Sequence, residues 1–183
     1  MTTSEQYRKL LQSQHQNNNW GSSRDIPEMA QSCIDIYSPS SILDFGAGKG
    51  LVTAALVSDY PDIDVQGYEP SRSQDVLPDK VDMVFSKDVL EHIEPDRLEY
   101  VLSDLHRRTS KVQFHLIACH KAIHFLEDGR NAHLIIETPD WWQRKFRSLG
   151  FRIVEEAVFG DIKKPRGRES IATTKYHCVI DCG

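Results

Sequence analysis

The chain has 183 residues, a net charge of −5 and 39% apolar residues. That length can bury the core of one domain, and the acidic balance gives no overall attraction to nucleic acid. No run approaches the roughly 18–20 apolar residues of a membrane helix, and the polar opening "MTTSEQYRKLLQSQHQNNNW" has no apolar signal core, so no membrane contact and a cytoplasmic protein are expected.

Residues 4–16 read as an amphipathic helix with Tyr7, Leu10 and Leu11 on its apolar side. "NNNWGSS" breaks it. A second helix is expected over 27–37, with Asp25 as its cap and Pro27 in its first turn. These two form an N-terminal helical segment, 1–38, on a single domain that continues over 39–183. "SILDF" is a strand, "GAGKG" a turn and "LVTAALVSDY" a helix that Pro61 ends. "IDVQGYEP" and "KVDMVFS" are further strands. "EPDRLEYVLSDLHRRT" puts Leu98, Val101, Leu102 and Leu105 on one helical face. "KVQFHLIAC" is a fourth strand, and 127–131 a polar loop. "TPDWWQRKFRSLG" is a helix capped by Thr138, with Pro139 at its first position. "FRIVEEAVF" and "TKYHCVID" are two last strands around the basic "KKPRGR", and they can close as a hairpin. Strands alternating with helices predict an α/β fold: a three-layer sandwich on a mostly parallel sheet. Cys33, Cys119, Cys178 and Cys182 form no C-x-x-C pair and are expected as reduced thiols.

The chemistry starts at "ILDFGAGKG". A phosphate-binding loop needs G-x-x-x-x-G-K-[ST]; here Gly48-Lys49 is followed by Gly50, and Leu43 stands where the first glycine belongs. A dinucleotide turn needs G-x-G-x-x-G/A; Gly46 and Gly48 fit, but Leu51 occupies the third position. What remains is an apolar strand, an acid and G-x-G-x-G. This resembles the first motif of class I S-adenosylmethionine-dependent methyltransferases. One βαβ interval later Glu69 ends the next strand, where an acid can accept from both ribose hydroxyls; alone it reads equally as a solvated strand end. "VDMVFSKDVLEHIEP" then matches the family's D-x-V-x-x-x-D-V-L-E-H-I segment through Asp82, Val84, Asp88, Val89, Leu90, Glu91, His92 and Ile93. The resemblance spans about residues 40–160 and implies a Rossmann-like fold. It implies cofactor contacts from Asp44, Gly46, Ala47, Gly48, Gly50, Glu69, Pro70, Lys87, Asp88 and Val89.

The chain departs from the family between the ribose acid and the VLEHI segment. Only "PSRSQDVLPDK" stands there, too short for a helix and a strand, so this unit is expected to be missing or cut to one turn. Asp75, or stacking on Tyr68, Pro70 or Val76, is left for the adenine.

Attack on a sulfonium methyl needs alignment in a dry pocket, and a hydroxyl or amine acceptor needs a base. The resemblance points first to His133, shortly before the last large helix, then to Asp88 and His92 at the third strand's end. A histidine bonded to loop backbone, a helix cap and a structural histidine are the plain alternatives. Arg130 and Asn131 are candidates for an anionic or sugar-like acceptor, Trp20 for a lid, and one of Trp141 and Trp142 for the acceptor pocket. His115, Cys119, His120, His124 and His133 cluster in sequence but form no tight ligand motif, so no metal is expected. The leading expectation is methyl transfer to a small molecule, with a sugar or carbohydrate intermediate as the favoured class. Two alternatives stay open: a nucleic-acid or protein methyltransferase using "KKPRGR", and a non-catalytic cofactor-binding partner. The oligomeric state is not readable.

Overall fold

A computed structural model describes residues 2–17, 22–163 and 170–183. The basic loop and Trp20 lie outside the described residues. Among the described residues, five helices and six strands follow in order: α1 Glu5–Asn17, α2 Glu28–Tyr37, β1 Ser41–Phe45, α3 Leu51–Asp59, β2 Asp64–Tyr68, β3 Val81–Lys87, α4 Leu98–Arg108, β4 Thr109–Ala118, α5 Pro139–Ser148, β5 Arg152–Lys163 and β6 Ile171–Asp181. Two single 3-10 turns, Leu90–His92 and Pro95–Arg97, join β3 to α4.

The strands form one sheet in the order β2-β1-β3-β4-β6-β5. The first four pair in parallel, and β6 and β5 close antiparallel as the expected hairpin. Alternation along each strand decides the layers. Ile42, Met83, Phe85, Val112, Phe114 and Leu116 face α2 and α3, where Ala30, Ile34, Val52 and Leu56 complete one core. Leu43, Phe45, Val84 and Ile117 face the other way, against Leu102, Leu105, Trp142 and Phe146 of α4 and α5. Helices therefore cover both faces, and the three-layer sandwich is present.

Between Tyr68 and Val81 the chain runs as turns, without helix or strand, so β2 ends the sheet. The α–β unit expected to be missing is missing. One expected cap is not made: Pro27 occupies the N-cap of α2 without a side-chain bond, and the Asp25 carbonyl accepts from Lys87 Nζ at 2.8 Å. The Thr138 cap is made, its side chain accepting from Trp141 N.

All four parallel strands end at one edge, where open α/β sheets bind ligands. The antiparallel β6 reaches that edge from the other direction, and its Lys175 pairs in register with Ala118, the last residue of β4. A separate cluster of Tyr7, Leu11, Leu126 and Ala132 packs α1 onto the loop after β4, so the N-terminal helix roofs the same edge.

Candidate active site

A cavity of about 400 Å³ opens at this edge, within the usual range for small-ligand sites. Its floor is the glycine turn. Gly46 and Ala47 both donate to the Tyr68 carbonyl, at 2.8 and 3.0 Å, which locks the turn to β2. Gly46 has φ +80°, and a Cβ there would stand 2.5 Å from Val89. The VLEHI segment and the first glycine thus require one another.

Glu69 is 4% exposed and accepts from Gly48 N and Ser71 N, each at 3.0 Å. His15 Nε2 of α1 lies 3.6 Å from it. Burial works to raise the carboxyl, but bonds from His15 and Ser71 outweigh it and hold Glu69 below its ordinary value. A buried, ionised acceptor is therefore fixed to the middle of the glycine turn. Asp75 is spent on this arrangement, accepting from Glu69 N at 2.9 Å. Tyr68 stacks on Phe45, and Val76 is 71% exposed and outside the cavity lining.

Asp44, expected beside the cofactor's ammonium, lies beneath the turn, 3% exposed, and accepts from Thr53 Oγ1 of α3 at 2.6 Å. Burial raises it to about 6. Ala47 and Gly50 shape the turn by the Gly50 N to Ala47 O bond of 2.7 Å but do not line the cavity; Gly46, Gly48, Glu69, Pro70, Lys87, Asp88 and Val89 do.

The opposite wall carries histidines. Asp88 sits in the left-handed region at φ +54° and accepts twice from Lys175 Nζ, at 2.9 and 3.0 Å. His92 Nδ1 donates to Ala132 O at 2.7 Å, and His133 Nδ1 donates to His120 O. A carbonyl only accepts, so each ring carries its hydrogen on Nδ1 and presents Nε2 as the basic nitrogen. The two rings meet edge to face at 4.8 Å. Burial lowers both, His92 to about 3. His120 and His124 also line the cavity, whereas His115 is sealed in the core between Ser86 and Gln113.

Arg130 and Asn131 do not line it. Arg130 pairs with Asp128, and Asn131 brackets Ala122 and bonds His133 N at 3.1 Å, so it shapes the loop that carries His133. Trp142 is buried in the core, and Trp141 lines a separate groove with Lys145 rather than the acceptor side. Sequence reasoning missed Lys175, His15 and Tyr7 as cavity residues. Lys175 gave no signal beyond a strand position. Tyr7 was legible only as apolar; its hydroxyl is buried at the cavity with no hydrogen-bond partner among the described residues.

A Rossmann-like sheet with this hairpin and a glycine turn at β1 is the class I methyltransferase fold. Solved structures agree. TehB from Haemophilus influenzae superposes with TM-score 0.60 at 12% identity over 87% of this chain and 63% of its own, so this chain spans less than two thirds of that protein. The Burkholderia thailandensis 1,6-didemethyltoxoflavin-N1-methyltransferase, solved with 1,6-didemethyltoxoflavin and S-adenosylhomocysteine, superposes at 0.57 and 14% identity over 99% and 91%. Coclaurine N-methyltransferase, bound to N-methylheliamine and S-adenosylhomocysteine, does so at 0.57 and 13% over 84% and 71%. No sequence-family model and no curated protein matches the chain.

Proposed function

We propose that this chain, acting as one domain, binds S-adenosylmethionine and transfers its methyl group to a small-molecule acceptor. The observation that carries the reading is Glu69, buried, ionised and fastened to Gly48 N, across one cavity from Asp88 and His133.

The residues suit the cofactor. Bare backbone at Gly46 and Gly48 lets an aminoacyl arm and ribose lie close, and the start of α3 adds N–H groups and positive field. Glu69 is an ionised acceptor in the cavity wall, where ribose hydroxyls would compete with His15 and the Ser71 side chain for its lone pairs. Asp44 acts at one remove, holding α3 through Thr53. When bound, S-adenosylmethionine supplies an electrophilic methyl on a sulfonium that leaves as a neutral thioether. The chain supplies alignment, exclusion of water and proton acceptance. Tyr7 and Leu11 of α1 close the roof against solvent. Neutral His133 accepts a proton at Nε2 from the attacking hydroxyl or amine, and Asp88, set by Lys175, is the second candidate. Two similar structures hold a small molecule together with S-adenosylhomocysteine, and a cavity of about 400 Å³ is of small-ligand size.

Calorimetry with S-adenosylhomocysteine and a labelled-methyl screen over metabolite and sugar extracts test this. Micromolar binding that Glu69→Ala weakens, with label reaching a small molecule, is the expected result. No heat from folded protein would sink the reading. Heat without transfer to any extract would leave a cofactor-binding module instead.

A further inference from the structure

We propose that Glu91, His92 and His133 bind a divalent first-row transition metal in the cavity wall. Their ligand atoms all lie within 4.8 Å of one another. Glu91 Oε1 stands 3.9 Å from Nε2 of His92 and 3.9 Å from Nε2 of His133. Nitrogen and oxygen ligands sit roughly 2.0–2.2 Å from such an ion, so it would draw the three inward by roughly half an ångström.

Both rings are already oriented for this. Each is tethered through Nδ1–H to a backbone carbonyl, Ala132 for His92 and His120 for His133, and each Nε2 lies 3.9 Å from Glu91 Oε1. Metal-binding histidines are fixed in this way by an outer partner.

Glu91 is the independent observation. It is 0% exposed, and neither carboxylate oxygen meets a hydrogen-bonding side chain among the described residues, the backbone N–H groups of Glu91 and Ala118 being its polar neighbours. Buried polar atoms are almost always satisfied, and a buried carboxyl aimed between two imidazoles is satisfied by a cation. A divalent ion would take the carboxylate and the two Nε2 atoms as its ligands. Lys175, the nearest ammonium, is spent on Asp88 at 2.9 Å and does not oppose it.

Two nitrogens and one carboxylate suit zinc, iron, cobalt or manganese. Three protein ligands beside an open cavity leave room for an exchangeable ligand, the pattern of a catalytic site. The role of the metal rests on the methyl-transfer reading and narrows it to hydroxyl acceptors. The ion would hold the acceptor oxygen and lower its pKa. The O–H bond breaks and its proton passes to water; the O–C bond forms as the C–S bond breaks, its electron pair remaining on sulfur. His133 is then a ligand, and the base is no longer required of it.

The test is titration of chelator-stripped full chain with Co²⁺, and separately Zn²⁺, followed by visible absorption and calorimetry. One ion per chain is expected, with micromolar or tighter affinity and no thiolate charge-transfer band. Glu91→Gln and His133→Gln should each weaken binding roughly 10–100-fold, with circular dichroism confirming the fold. Absence of binding below millimolar, a thiolate band marking capture by cysteine, or unchanged affinity in both folded variants would overturn the site. S-adenosylhomocysteine calorimetry on the stripped protein separates the two readings. Heat there without metal binding removes the metal alone, and metal binding without that heat removes the methyl-transfer reading and keeps the site.

Discussion

At Gly46 the lack of a side chain has a measurable consequence. Its φ of +80° and the 2.5 Å approach of Val89 both penalise a methyl group. Left-handed strain and overpacking together amount to about 3 kcal/mol, so Gly46→Ala should lose that much in urea unfolding and bind S-adenosylhomocysteine weakly. At Glu69 the charge matters more than the shape. Glu69→Gln keeps the volume but replaces an ionised acceptor, and a charge-assisted bond is worth about 1.5–3 kcal/mol. Calorimetry should show a loss of affinity of roughly tenfold or more. His115 gives a pH signature. Burial between Ser86 and Gln113 pushes it from 6.5 to about 3. Between those values the unfolded chain takes a proton that the native ring refuses. The contribution of His115 is therefore complete above 6.5 and drains away as pH falls toward 3. The slope is at most about 1.4 kcal/mol per pH unit. His115→Gln should flatten the drop in urea midpoint between pH 7.5 and 5 relative to the unmodified chain; an equal drop would contradict the buried neutral ring.

Among the elements, α5 separates local from tertiary stabilisation. Thr138 caps it through Trp141 N, and Pro139 opens it. Thr138→Ala should cost about 1 kcal/mol. Phe146, buried between Trp142 and Phe151, anchors the same helix to the sheet, and Phe146→Ala should cost about 3–5 kcal/mol. Denaturant unfolding of the two variants checks the ratio. A Thr138→Ala loss as large as that of Phe146→Ala would mean that the helix depends on its cap rather than on its packing. The hairpin has a different part. Because β6 is antiparallel to β4, it delivers Lys175 to an edge otherwise made of strand ends, and there it holds Asp88.

Over the whole molecule, the −5 net charge sets an expectation about partners. Binding that neutralises Z phosphates falls with salt at a slope of about −0.9Z on duplex DNA. The small-molecule reading expects no saturable RNA or DNA binding in a filter assay at low salt. A steep salt-dependent affinity would favour the nucleic-acid alternative. No helix among the described residues is long and apolar enough to cross a membrane.

The sequence by itself determined what is local. Apolar periods placed the elements, the turn chemistry placed the α5 cap, and three motifs spaced along one chain named the fold and the cofactor face. It also showed, by simple shortage of residues, that the unit after Glu69 was missing. Glu91 and His92 were legible as a motif, but not as two groups meeting His133, which lies some forty residues away. Only the tertiary structure decided that Asp44 turns to Thr53, that Asn131 bonds Ala122 and the backbone of His133, that α1 roofs the cavity, and that Lys175 faces Asp88. The physical reason is that propensity and periodicity act over a few neighbouring residues. Burial, hydrogen-bond satisfaction and the tuning of acids and histidines depend on groups from distant segments, which come together only when the sheet closes.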